Sequence, residues 1–267
     1  MPPHEVPAQL PTQRGRIAEM PAQRRDLAVN ERNRRVDSLG RAYAGSQLQI
    51  QLWVNRRSRE LTQAVLAALP SLASLNPRIR WVSPLESAGF VEYQDREFLR
   101  AVALEGCAPQ LSRFWPRGGP VWDALAAVET ARTADCRGVL LVEAKSHVSE
   151  VYGGGCKASA RSRERIEEAL GLTKRWLGAS SDADWTGALY QSANRLAHLY
   201  FFREVMGVPA WLINVYFVND PHSPTSRADW EVALVGIKAQ LGLAGISIPH
   251  AADLFLEAGL REELPQE

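Results

Sequence analysis

An unbroken apolar run, Val139-Leu140-Leu141-Val142, ends in Glu143-Ala144-Lys145 and passes at once into Ser146-His147. The run reads as a buried strand. Extended backbone places residues two apart on one face, so Glu143 and Lys145 project side by side from the strand's end. Bringing a carboxylate and an ammonium to a core boundary is costly. A strand that does so more often carries a metal-dependent catalytic site than a packing element. The cations of this chain are overwhelmingly arginines, and its only lysines are Lys145, Lys157, Lys174 and Lys238. Lysine is the compact charge whose pKa moves readily on burial, so its use at this position is informative.

Composition limits the alternatives. With 267 residues and 46% hydrophobic content the chain can bury a substantial core, as one α/β domain with additions. A formal net charge of +1 gives no global field for a polyanion, so contact with nucleic acid must come from local patches. Cys107, Cys136 and Cys156 form no paired framework, which suits a reducing compartment. No apolar stretch approaches the roughly 20 residues of a membrane span. The expectation is a cytoplasmic protein with no membrane partner. Walker, G-x-S-x-G, zinc-cysteine and dinucleotide patterns are lacking, which removes the enzyme classes that depend on them.

Residues 1–41 are rich in proline and arginine and lack aromatic residues, the composition of a disordered tail. Order is expected over residues 42–267. Gln47 to Val54 alternates polar and apolar residues, the pattern of a strand. Helices are expected from Ser58 to about Leu69, Asp95 to Leu104, Ala158 to Leu177, Leu189 to Met206, Ala228 to Leu241 and His250 to Leu260. Strands are expected at Ile79 to Val82, Val121 to Val128, the run ending at Lys145, and Ala210 to Val218. The strands at Val121 and Val139 read as an antiparallel hairpin. The result is a mixed sheet flanked by helices, with an extra N-terminal strand and helix and C-terminal helices.

Asp123 precedes Glu143 by twenty residues, one on each arm of the hairpin. Cross-strand neighbours approach within about 5 Å, so the two carboxylates would converge. Such a pair invites Mg²⁺ or Mn²⁺, with the backbone carbonyl of Ala144 as a further oxygen ligand. Lys145 beside the ion would orient water or stabilise charge developing on a phosphate. The plain alternative is a salt bridge at a sheet end.

These residues resemble the PD-(D/E)XK, or restriction-endonuclease-like, nuclease superfamily over roughly residues 90–220. The resemblance implies a core of one helix, three antiparallel strands, a helix and a further strand. It implies Asp123 and Glu143 as metal ligands and Lys145 as the catalytic lysine. A glutamate from the helix before the hairpin, Glu97 first and Glu92 second, is a further participant that the resemblance implies. The implied activity is metal-dependent hydrolysis of phosphodiester bonds in nucleic acid, DNA in the first instance. A nuclease-fold protein kept for binding or regulation is the alternative.

Around this centre, His147 would share the face of Lys145 if extension continues, and Gln191 opens the helix flanking the site. Arg161, Arg165 and Lys174 are candidate backbone contacts to nucleic acid, although the interleaved glutamates suit ordinary pairing on a solvated helix.

Overall fold

The computed structural model describes residues 35–130 and 138–264. Its centre is a five-stranded mixed sheet in the order β1-β2-β3-β4-β5: β1 (Arg78–Ser83), β2 (Ala124–Glu129), β3 (Gly138–Lys145), β4 (Ala210–Val218) and β5 (Ala251–Glu257). The β1–β2 and β2–β3 pairs are antiparallel, whereas β3–β4 and β4–β5 are parallel. Only β2 therefore runs against the others. The β2–β3 hairpin and the strands β1 and β4 are where the sequence places them. The connection at residues 131–137 lies outside the described residues, as do 1–34 of the expected tail.

Helices cover both faces. On one side lie α1 (Gly45–Arg56) and α2 (Ser58–Ala68), followed by the short α3 (Pro70–Ala73). On the other lie α4 (Asp95–Ala101), α5 (Ala108–Phe114), α6 (Ala160–Leu177), α7 (Tyr190–Tyr200) and α8 (Arg227–Gln240). The period of two sorts each strand between these layers. Leu140, Val142 and Ala144 pack with α1 and α2, while Val139 and Leu141 pack with α7 and its neighbours. Glu143 and Lys145 continue that second, odd-numbered set. Sheet and helix α7 thus decide together what those side chains meet. Among the described residues no helix is long and apolar enough to cross a membrane.

Four expectations are corrected. Gln47 to Val54 is not a strand but most of α1, and every residue from Leu48 to Val54 is buried. The alternation came from Gln49 and Gln51, which are interior residues whose amides bond distant backbone. The Gln49 Nε2 donates to the Gly259 carbonyl at 3.1 Å, and the Gly259 N–H donates to its Oε1 at 2.7 Å. Gln51 accepts from the Ala42 N–H and donates to the Gly40 carbonyl. Satisfied in this way, the two amides can be buried.

His250 to Leu260 is not a helix but contains β5, completing the sheet beside β4. Ala252, Leu254 and Leu256 face α1 and α2, a period of two that helix-favouring Ala, Leu and Glu conceal. The folded unit begins at Val36, not after residue 41. Asp37 is bonded there by Arg41 and by Arg261 near the far end of the chain. The helix expected from Leu189 to Met206 is divided, with α7 giving way to a π-turn over Phe201–Val205.

Gly138 opens β3 where it meets β4. A Cβ there would lie 2.8 Å from the Pro209 carbonyl oxygen and 3.0 Å from a Trp211 ring carbon. Gly138→Ala is expected to lower stability by about 1–3 kcal/mol, the usual cost of overpacking. Urea denaturation checks this, and an unchanged midpoint would mean that the strand start yields freely.

Candidate active site

The β2–β3 register pairs Ala124 with Val142, so its next step sets Asp123 opposite Glu143. Regular pairing stops there because a side chain takes over: the Asp123 Oδ2 accepts the Ala144 N–H at 2.7 Å. On the other side of Asp123 an isolated antiparallel bridge joins Trp122 to Tyr93. That bridge brings Glu92 beside Asp123. Three carboxylates from three separate segments therefore gather at the end of the apolar run.

Two cations answer them. The Lys145 Nζ lies 2.5 Å from the Glu143 Oε1, and the Arg195 Nε lies 2.5 Å from its Oε2. Arg195 comes from the buried face of α7, between Asn194 and Leu196. Its Nη1 donates to the Asn194 Oδ1 at 2.7 Å and its Nη2 to the Val121 carbonyl at 2.8 Å. The guanidinium also lies 5.0 Å from the Trp122 ring centroid, a cation–π contact.

Sequence reading missed Arg195. The available signal was a charge lodged in a helical stretch whose neighbours, Ala193, Leu196, Ala197 and Leu199, are apolar.

Electrostatics separates the three acids. Burial and the facing Glu143 push the Asp123 carboxyl up to about 8, so it holds a proton at neutral pH. Burial also raises Glu92. For Glu143 burial acts in the same direction, but Arg195 and Lys145 outweigh it and hold the group ionised. Burial works against the Lys145 ammonium, yet Glu143 and Asp123 overcome that and raise its pKa. Lys145 is thus held in its charged form by the facing carboxylates.

The donor set is chemically suited to a hard divalent ion, which takes carboxylate and carbonyl oxygens. One observation bears on this directly: the Glu92 Oε1 is buried without a hydrogen-bond partner. Such an atom in a native interior calls for a partner, which a water or an ion can supply. Against it, both oxygens of Glu143 are engaged by cations. Among the described residues no three His, Cys, Asp or Glu side chains converge closely enough to ligate one ion as they stand.

Other candidates are dispersed. Glu97 is exposed and lines a separate cavity of about 590 Å³ with Trp115, Arg117, Arg165 and His198, away from the carboxylates. Glu92 occupies the place that the sequence had offered first to Glu97. The His147 ring is held locally, with Nδ1 2.7 Å from the Ser149 Oγ and Nε2 3.3 Å from a Glu150 oxygen. Lys174 donates to the carbonyls of Ser181 and Ala183, and Arg165 donates to the Ser112 carbonyl. Arg161 is exposed on the first turn of α6.

Gln191 is placed differently. With Arg195, Asn194, Lys157 and the Gly153-Gly154-Gly155 segment it lines a cleft of about 370 Å³. Gly155 has φ +72°, and a Cβ there would lie 2.9 Å from the Thr186 carbonyl oxygen, so only glycine fits this wall without strain. The cleft opens over the guanidinium that pairs with Glu143. No protein-family model, curated protein or solved structure matches this chain.

Proposed function

We propose that this protein is a divalent-metal-dependent, nuclease-like enzyme that hydrolyses phosphodiester bonds of nucleic acid, with DNA as the first substrate to test. The observation that carries the reading is the gathering of Asp123, Glu92 and the Glu143–Lys145 pair at one end of the sheet, beside a cleft lined by backbone and cations. The order of elements supports a restriction-endonuclease-like core: helices, three antiparallel strands, a helix and a further strand. On this reading β1, which the sequence places at Ile79 to Val82, is the first of those strands.

On this reading Asp123, Glu143 and Glu92, with the Ala144 carbonyl, would hold Mg²⁺ or Mn²⁺. Such an ion would supply Lewis-acid chemistry, an acidified water and charge withdrawal from the phosphate. The chain's own part is positioning and charge. Lys145, cationic throughout, faces the developing negative charge at the scissile phosphate and orients the attacking water. Gln191 and Lys157 border the cleft through which the backbone of the substrate passes.

The engagement of both Glu143 oxygens favours one second reading, a protein of this fold that binds nucleic acid without cutting it. Incubation of supercoiled, linear and single-stranded DNA with Mg²⁺ or Mn²⁺ separates the two. Cleavage is expected from the wild type and is expected to fall on the order of 10²–10³-fold in Lys145→Ala. Cleavage that persists in the variant overturns the site, and metal binding without cleavage of any substrate favours the second reading.

A further inference from the structure

Resting on the reading above, we propose that Arg195 is an exchangeable cation of the site: it neutralises Glu143 until a divalent ion arrives, then yields that carboxylate and turns its freed donor to a DNA phosphate in the adjoining cleft.

A guanidinium Nε sits 2.5 Å from the Glu143 Oε2, so a metal ion and Arg195 compete for the same oxygen. Three carboxylates, Glu92, Asp123 and Glu143, face two cations, Lys145 and Arg195. A divalent ion added without displacement would place a third cation against the same carboxylate, a costly like-charge contact in a poorly hydrated site.

Arg195 can leave Glu143 without leaving the site. Its Nη1 and Nη2 are already anchored by the Asn194 side chain and the Val121 carbonyl, and its plane is covered by Trp122. Val121, Asn194 and Arg195 all line the 370 Å³ cleft. Rotation of the side chain about its Cγ–Cδ bond, with one of the two anchors kept, carries Nε off Glu143 and toward the space where a phosphate would lie. The guanidinium fork matters here, because an ammonium has no second nitrogen to stay anchored while the first changes partner.

Two measurements on the full chain test this. Mn²⁺ binding is followed by titration calorimetry with the metal alone, and binding of a short fluorescein-labelled DNA duplex is followed by anisotropy in Ca²⁺. Arg195→Met keeps the bulk over Trp122, Arg195→Lys keeps the charge, and circular dichroism verifies that each folds. Arg195→Met is expected to bind Mn²⁺ more tightly, on the order of tenfold, and DNA more weakly by a similar factor, as fits a competing cation that also contacts phosphate. Arg195→Lys is expected to recover little of the DNA binding.

Folded Arg195→Met with weaker Mn²⁺ binding overturns the proposal, because Arg195 would then be positioning Glu143 for the metal. Unchanged Mn²⁺ and DNA binding overturns it as well, while leaving the metal-dependent reading intact. Absence of Mn²⁺ binding in wild type and variants alike removes both.

Discussion

Asp123→Asn is expected to yield a protein more stable than the wild type at neutral pH and without nuclease activity. The reason lies in what the fold demands of Asp123. Its carboxyl faces Glu143 in a poorly hydrated strand end and is pushed up to about 8 from the ordinary 3.8 of an aspartate. Between those values the native state holds a proton that the unfolded chain has released. The contribution of this group to stability is complete below pH 3.8 and is lost as pH rises, by up to about 1.4 kcal/mol per pH unit, until it levels off near 8. At pH 7 the accumulated cost is at most about 4 kcal/mol. Some contact of the side chain with solvent screens it, so a gain of roughly 2 kcal/mol or more is expected for the neutral amide.

The Asn side-chain oxygen can still accept the Ala144 N–H, so the strand end survives. On the proposed reading the substitution removes a metal ligand, and cleavage should fall on the order of a thousandfold or more.

The choice of pH window matters. His198, 1% exposed, is lowered to about 4 by burial, despite its hydrogen bond to the Asn194 carbonyl. Between about 4 and 6.5 the unfolded chain takes up a proton that native His198 refuses, so its contribution rises with pH and opposes that of Asp123. Urea denaturation in metal-free buffer from pH 6.5 to 8, compared between wild type and variant, therefore reads Asp123 above most of the His198 window. The wild type should lose stability across that range, and the variant should not. Equal stability and equal slopes would identify Asp123 as an ordinary ionised carboxylate.

The second large effect is expected far from the site. Gln49→Leu should lower stability by about 2–4 kcal/mol although it adds an apolar residue to a buried helix face. Gln49 exchanges two hydrogen bonds with Gly259, which lies 210 positions later in the chain. Leucine would leave a buried N–H and a buried carbonyl without partners, and each unsatisfied group costs about 1–3 kcal/mol. Denaturant midpoints of Gln49→Leu and of Gln49→Glu, which keeps one acceptor for the Gly259 N–H, test the account. A leucine variant as stable as wild type would show that water or a local shift replaces the amide.

Gln49 also shows why part of the fold was not legible. A polar residue every second position predicts a strand only if polar means solvated. Here the polar residues are interior, and what satisfies them is backbone brought in from residues 40, 42 and 259. The error at β5 has the same origin in reverse. Ala251–Glu257 carries helix-forming residues, but an unpaired edge of β4 stands ready to pair with it, and sheet pairing outweighs intrinsic preference.

By contrast, β3 and β4 were legible because each is a run of apolar residues buried on both faces. Helix α8 was legible as well. Its start carries a capping box between Ser226 and Asp229.

The sequence by itself determined that Glu143 and Lys145 end a buried strand, that Asp123 faces them from a hairpin, and that an α/β sheet carries all three. Those facts follow from short-range rules, the period of two and the antiparallel register. Tertiary structure alone decided the rest of the site. It chose Glu92 over Glu97, because a single bridge between Tyr93 and Trp122 fixes which glutamate meets Asp123. It also placed Arg195, 52 residues beyond Glu143, on the remaining oxygen. A charge pattern along the chain records how many acids and bases there are. Which of them meet in a poorly hydrated interior, and so which protons are held, depends on the packing of α7 against the sheet.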